Sequence, residues 1–463
     1  MTGYRLLGCA GAVLVAGTGL AAGALPNGGT EPWLATWREH ALPAVLLGYF
    51  GPTLMVAAWI WAGRTIRTTD DAPEVRGLLI TLGIWSLPLV AGPPLFSRDV
   101  YAYLAQGAMA VDGLDVYKSG VSSLGGALAA QVPPMWQQTP TPYGPVFVTL
   151  AAAIATAAGA KVIAGLVGLR LLALTGVAAL ITALPSLARR CGVDPASALW
   201  LGALNPLVPL HLIAGAHNEA VMLGLLICGL SVALGHRFVL ATVLVTLAAL
   251  VKAPAAAGLV VVAAVWWQQL SGRTRHVRAV ARTTVIAGVT TVVVTAVTGL
   301  GFGWIASLTT PISTQSWSLS SALGRATRAV LNTVDTAVDG EAVMRFWAWC
   351  GIAAIVAVAF YSWWRRDRFG PVYAAGLSLA ALAVFGPATR PWYALWGLVL
   401  IAAAAPAGRV RQWAAACCGA LAFLVLPSGF GPDAGQALYA CAGVLLAVAV
   451  VGYGWLSARV LRW

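Results

Sequence analysis

The feature that most constrains this chain is a recurrence of apolar blocks of about 16–24 residues, because a helix needs roughly 20 such residues to cross ~30 Å of hydrocarbon. The alternating runs of about 9–11 residues that a membrane barrel requires are missing. Of the 463 residues, 60% are hydrophobic and 9% are charged, whereas ordinary soluble domains carry about a quarter charged residues. A water-soluble core could not hide that much apolar surface. The expected fold is an all-α polytopic membrane bundle of about 13–14 transmembrane helices.

Candidate spans cover 6–25, 42–62, 77–92, a block within 144–188, 195–214, 219–235, 238–252, 255–270, 283–299, 342–363, 371–387, 391–405, 413–427 and 434–456. The first follows Tyr4 and Arg5 and reads as an uncleaved helix, being longer than a signal-peptide core. Residues 144–188 hold two apolar pieces around Gly159-Ala160-Lys161, yet an odd number of crossings is needed. One piece is therefore expected to be re-entrant, or both to form one broken span, in a setting that shelters its backbone.

The net charge of +13 has its first meaning in orientation, since Lys and Arg favour cytoplasmic loops. Arg64, Arg67, Arg76, Arg189, Arg190, Arg237, the 273–282 cluster, Arg365, Arg366, Arg368, Arg409, Arg411, Arg459 and Arg462 all fall in alternate loops and so mark one face. Because they sit in short loops between apolar blocks, no nucleic-acid partner is expected. The seven cysteines show no CxxC spacing, and most lie inside apolar blocks, where they read as small buried hydrophobes. The other face carries two large loops, 93–143 and 300–341, expected to bear membrane-surface helices. In the first, Asp99–Val111 reads as a surface helix with Val100, Tyr103, Leu104 and Ala108 on its apolar side and Ser97 at its start. The chain then divides into N-terminal helices (1–76), a core module (77–300), the second outer loop (301–341) and C-terminal helices (342–463).

Unusual polar residues gather on the face with fewer charges: Arg98, Asp99, Asp112, Asp115, Tyr143, His217, Asn218, Glu219, Lys252 and Arg390. Ionisable residues at the membrane edge are functional candidates. Asp99 can serve as a general base, or as an acid at a helix N-terminus beside Arg98. Asp115 reads as a turn residue or a second carboxylate. His217-Asn218-Glu219 could hydrogen-bond a sugar or cap the next helix; the HNE spacing lacks the partners a metal site wants. Lys252 and Arg390 interrupt apolar stretches, either snorkelling to headgroups or forming a pair of cations for a phosphate. The aromatics Trp304, Trp317, Trp392 and Tyr393 are expected mostly as interface anchors, some able to stack on a sugar ring.

The segments SRDVYAYLAQG (97–107), GLDVY (113–117), TPYGPV (141–146), HNEA (217–220), LVKAP (250–254) and TRPWY (389–393) resemble, in order and spacing, the actinobacterial polyprenol-phosphomannose-dependent α-1,6-mannosyltransferases. That family belongs to the GT-C class, and the likeness runs from about residue 77 to 405. The resemblance implies a GT-C-type bundle in the plasma membrane with its site on the extracytoplasmic side. It also implies a polyprenyl-phosphate sugar donor, with mannose as the sugar, and an acceptor that is a lipid-anchored or oligosaccharide mannan of the lipomannan or lipoarabinomannan type. Asp99 would then be the catalytic base of an inverting displacement, with Lys252 and Arg390 on the donor phosphate. His217, Asn218, Glu219, Tyr143, Asp115 and Arg98 would contact sugar or acceptor. No cofactor is expected, and a metal requirement is unsupported because no acidic cluster has suitable spacing. The alternatives are a GT-C transferase of another polyprenyl-phosphate sugar such as arabinofuranose, a transporter or flippase for a lipid-linked sugar, which would need charges on both sides of a central site, and a catalytically silent scaffold in envelope assembly.

Overall fold

A computed structural model describes residues 2–27, 41–68, 74–159, 161–307, 316, 318–334 and 339–460. Trp317 lies outside the described residues. The helices are α1 (Gly3–Ala22), α2 (Ala41–Thr68), α3 (Val75–Ala91), α4 (Asp99–Val111), α5 (Pro145–Ala158), α6 (Val162–Arg190), α7 (Pro195–Gly202), α8 (Glu219–Ala233), α9 (Phe238–Val251), α10 (Ala257–Gln268), α11 (Arg275–Thr298), α12 (Leu319–Val334), α13 (Gly340–Trp364), α14 (Pro371–Phe385), α15 (Ala394–Ala404), α16 (Arg409–Leu421) and α17 (Ala434–Val460). A π-helical turn, Val208–Ala214, stands between α7 and α8. Among the described residues there is no β-strand. The all-α polytopic membrane fold expected from the apolar blocks is the fold found.

Local signals account for many boundaries. Asp194 caps α7 through its side chain, 2.7 Å from the Ser197 N–H. Asp339 does the same for α13, with Glu341 and Ala342 N–H donating at 2.9 and 3.1 Å. Pro145 opens α5 at the one helical position that tolerates its missing N–H, and α5 closes on Gly159 at φ 57°. The N-terminal α1 is an integral part of the bundle: Arg5 donates to Thr81 Oγ1 and Gly77 O, both at 3.0 Å, and so ties α1 to α3.

The helices differ from the expected spans in length. By length and composition α1, α2, α6, α11, α13 and α17 suffice to cross a membrane, with a seventh crossing if the turn 208–214 and α8 form one broken span. Shorter apolar helices, α3, α5, α9, α10, α14 and α15, make up much of the remainder. At about 1.5 Å per residue, the 14 residues of α9 reach about two thirds of the way across ~30 Å of hydrocarbon. The block 195–214 is likewise not one span, being divided into α7 and the π-helical turn. In 144–188, α6 is the piece long enough to cross and α5 is the short one.

Short helices pair as hairpins whose turns carry the polar motifs. Gly258 of α10 packs on Val245 of α9, and Gly397 of α15 on Gly376 of α14, so Lys252 and Arg390 each sit at the tip of an antiparallel pair. The opposite ends of these helices meet the arginines. Arg190 donates to Leu234 O after α8 at 3.0 Å, and Arg411 donates to Ala402 O at the end of α15 at 2.8 Å. Arg282 lies over Trp266 near the end of α10. The alternation of basic loops in the sequence thus corresponds to a basic end and a tip end of one bundle.

Helix α4 corrects an expectation. It has the anticipated bounds, yet it has no wet side along most of its length: Val100 through Gly107 and Met109 are all buried. Close packing explains this. A Cβ at Gly107 would stand 2.4 Å from Ala151 O of α5, and one at Gly165 of α6 would stand 2.5 Å from Leu104, so α4 is inserted between helices.

Gly144 plays the same part at the site. Its N–H donates to Val251 O at 3.3 Å, and a Cβ there would lie 2.1 Å from Leu250 O. Backbone cannot yield as a flexible side chain can, and overpacking costs about 1–3 kcal/mol. Gly144→Ala is therefore expected to lower the unfolding temperature in detergent and to reduce activity by displacing the Lys252 turn; an unchanged melting curve would refute this packing.

Candidate active site

The tips bring together six of the residues singled out in the sequence. Asp99 begins α4, where Ser97 Oγ accepts its backbone N–H at 2.9 Å. His217-Asn218-Glu219 stand where the chain bends by 112° between the π-helical turn and α8. Lys252 follows α9, and Tyr143 precedes α5. The residues just before the first two motifs, Phe96 (φ 61°) and Ala216 (φ 50°), are held in left-handed backbone, which costs a non-glycine residue about 1–3 kcal/mol and recurs at functional sites. Phe96 is pinned there by its N–H donating to Pro427 O at 2.8 Å.

His217 is the hub. Its Nδ1 lies 3.6 Å from Asp99 Oδ2, 4.0 Å from Glu219 Oε2 and 3.4 Å from the Tyr103 hydroxyl. Trp392 stacks on its ring at 3.9 Å. Glu219 forms an ion pair with Lys252, whose ammonium also lies 4.2 Å from the Tyr393 ring centre, 5.4 Å from Trp396 and 5.5 Å from Tyr143. The side chains of His217 and Glu219 are 0% exposed and that of Asp99 is 20% exposed, so Asp99 is the acid an incoming molecule can reach.

Arg390 acts on Asp99 electrostatically from the next tip, ahead of Lys252 in strength. Among the described residues its half-buried guanidinium has no hydrogen bond or ion pair. Burial pushes the Asp99 carboxyl up from its usual range; Arg390 and Lys252 pull it back down, and Glu219 pushes it up. Several buried polar atoms here lack partners: His217 Nε2, both amide atoms of Asn218, Glu219 Oε2, Thr389 Oγ1 and Trp396 Nε1. Buried polar groups are nearly always satisfied, so this concentration at one place suits a polar ligand. Among the described residues no three His, Cys, Asp or Glu side chains form a set that could hold a metal ion.

Three polar residues from the sequence reading stand elsewhere. Arg98 donates to Leu25 O at 2.9 Å and to Gln131 O at 3.1 Å, tying the exit of α1 to the 93–143 loop. Asp115 closes a turn, accepting the Tyr117 N–H at 3.0 Å and pairing with the exposed Lys118 at 3.2 Å. Asp112 ends α4 exposed. Trp392 and Tyr393 are buried against His217 and Lys252 rather than set at an interface.

The sequence reading passed over Arg170, His211 and Trp396. Arg170 interrupts the apolar helix α6 and donates to Val90 O at 3.0 Å, Gly92 O at 2.5 Å and Ala214 O at 3.0 Å. It thereby fastens the end of α3 to the turn that precedes His217. A lone arginine inside a long apolar helix was the available signal.

The ionic cluster thus lies at helix tips of an all-α bundle with helices long and apolar enough to cross a membrane, and comparison with known proteins gives the class of the chain as a membrane glycosyltransferase. Residues 5–268 match the family model described as Alpha-(1->6)-mannopyranosyltransferase, N-terminal domain, and residues 320–453 match the MptB C-terminal domain. The chain is 34% identical over 470 residues to alpha-(1->6)-mannopyranosyltransferase A of Mycobacterium tuberculosis, covering 98% of this chain and 89% of that one. It is 31% identical to alpha-(1->6)-mannopyranosyltransferase B of Corynebacterium glutamicum, covering 98% and 82%. To alpha-(1->6)-mannopyranosyltransferase A of the same bacterium it is 30% identical, covering 89% and 88%. No solved structure matches the chain. The protein belongs to the alpha-(1->6)-mannopyranosyltransferase family of membrane glycosyltransferases.

Proposed function

We propose that the protein transfers mannose from a polyprenyl-phosphate-mannose to an α-1,6-linked mannan of the lipomannan or lipoarabinomannan type, at the outer face of the plasma membrane. The observation that carries this reading is that Asp99, the partly exposed carboxylate beside His217, sits within the field of Arg390, a half-buried guanidinium with no hydrogen bond or ion pair among the described residues. The former can take a proton while the latter holds a phosphate. The basic end of the bundle faces the cytoplasm by the positive-inside rule, which turns the tips outward.

In this mechanism an acceptor hydroxyl oxygen attacks the anomeric carbon as its proton passes to Asp99. The bond from that carbon to the phosphate oxygen breaks in the same displacement, so a β-linked donor yields an α-mannoside. Polyprenyl phosphate leaves without needing a proton, so no second carboxylic acid of the glycosidase kind is required. Arg390 binds the leaving phosphate in bidentate fashion and balances the charge that grows on it. Lys252 is engaged with Glu219 and contributes its field from behind. The unpartnered atoms of His217, Asn218 and Glu219 accept and donate to sugar hydroxyls, and Tyr143 walls the site. Arg98 and Asp115 have no part in it, and the steps call on no metal or cofactor.

The test is transfer of radiolabelled mannose from synthetic polyprenyl-phosphomannose to a short α-1,6-mannoside by purified protein. Extension of the acceptor with α-linked product is the expected result. Transfer from polyprenyl-phosphoarabinose instead would reassign the donor, and movement of the lipid-linked sugar between leaflets without any transfer would replace the enzyme by a flippase.

A further inference from the structure

We infer that the serines of the second outer loop are positioning residues that aim Arg390 at the donor phosphate, an inference that rests on the phosphate reading of Arg390 above. After α14 ends at Phe385, Gly-Pro-Ala-Thr-Arg runs to Arg390 without helix. Peptide groups in such a segment need partners from outside it. They come from a stretch 65 to 73 residues earlier: Ser320 Oγ donates to Phe385 O at 2.9 Å, Ser321 Oγ donates to Pro387 O at 3.2 Å, and the Thr389 N–H donates to Ser316 Oγ at 2.9 Å.

These serines are buried, Ser316 at 3% exposure and Ser318 at 1%, and they are bonded to one another. Ser318 Oγ lies 3.1 Å from Ser320 Oγ and 3.0 Å from Ser321 Oγ, and the Ser318 N–H donates to Ser316 Oγ. Arg325 of α12 secures the start of the loop by donating to Ser316 O at 3.0 Å. The whole assembly rests on Gly351 of α13, where a Cβ would meet Phe385 O at 2.4 Å and Ser320 Cβ at 2.9 Å. The last of these bonds fixes the peptide one residue before Arg390. The Arg390 guanidinium has no hydrogen bond or ion pair of its own among the described residues, so what anchors the side chain is the point where it leaves the backbone, extended at φ −124° and ψ 156° and followed by Pro391. Ser316, Ser318, Ser320 and Ser321 therefore belong functionally to the phosphate site although they act on Arg390 and not on substrate.

The experiment uses the full chain in detergent and a polyprenyl monophosphate without sugar as probe, with Arg390→Ala as reference. Ser316→Ala is expected to weaken probe binding by about 3- to 10-fold, the range one hydrogen bond commands, and to raise KM for donor with kcat nearly unchanged. Ser316→Thr, which keeps the hydroxyl, retains most of the affinity. In the Arg390→Ala background the Ser316→Ala change has no further effect. If it weakens binding there as much as in wild type, the serine is general scaffolding and the inference falls; it falls equally if Ser316→Ala leaves binding unchanged. Should Ser316→Ala fail to fold, Ser320→Ala reads the same segment from its other end. Arg390→Ala leaving probe affinity intact would instead remove the phosphate reading itself.

Discussion

Asp99→Asn is expected to lower the rate of mannosyl transfer by about 10²–10⁴, the contribution of a positioned general base, while leaving the protein folded and able to bind donor. The substitution is nearly isosteric, and the Ser97 hydroxyl that accepts the residue 99 N–H is untouched. What changes is that an amide cannot take the acceptor's proton. The pH dependence carries the sharper signature. Burial raises the Asp99 carboxyl above its ordinary range against the pull of Arg390 and Lys252, and the base works only when deprotonated. Wild-type kcat should thus climb with pH through that raised value and then level, and the residual activity of the Asn variant should lack this acid limb. Single-turnover transfer measured across pH checks both points. An Asn variant within a few-fold of wild type would move the base role away from Asp99; Glu219, the other carboxylate near His217, would then be the next to test.

Much of this site was legible before the structure because each motif breaks a helix. Lys252 before Ala253-Pro254, Arg390 before Pro391, and His217-Asn218-Glu219 at the end of an apolar run all interrupt stretches that would otherwise continue. A membrane tolerates such breaks only where protein or a wet cavity shelters them. Residues at three breaks on one face were therefore candidates for a common site, and Asp99, His217, Glu219, Lys252 and Tyr143 do meet.

What escaped the sequence reading depends on partners far apart along the chain. Nothing local says that Glu219 and Lys252, 33 residues apart, neutralise each other, or that Arg98 is spent on Leu25 and Gln131. The amphipathic reading of α4 failed for a related reason: Gln106, on what looked like its wet side, is buried and accepts the Thr141 hydroxyl at 3.1 Å, a partner 35 residues along the chain. Span counting by hydropathy registers an apolar run whether it crosses fully or stops short, so α9, α10, α14 and α15 were counted as full crossings although each is a shorter apolar helix.

The largest stability effect is expected at the Glu219–Lys252 pair. Both groups are almost wholly shielded, Lys252 at 7% exposure and Glu219 at 0%, so their charges are tolerable only together. Removing one partner of a buried pair costs about 3–5 kcal/mol because the other charge is left uncompensated. In Glu219→Gln the Lys252 ammonium would lose its compensating carboxylate while keeping the rings of Tyr393, Trp396 and Tyr143 around it, and cation–π contacts at desolvated sites return about 2 kcal/mol. In Lys252→Met the Glu219 carboxylate would face Asp99 across His217 with Arg390 as the remaining cation, so that variant should lose stability and also disturb the acid limb of the rate profile. The double variant Glu219→Gln/Lys252→Met has no unpaired charge, and thermal unfolding in detergent should place it well above the sum of the two single losses, a coupling of the size seen for contacting groups. Strict additivity would mean that the two groups do not rely on each other. A double variant that regains stability yet stays poor in transfer would show instead that the pair is kept for the field it sets at Asp99 and the phosphate, since a neutral pair of similar volume packs the tips equally well.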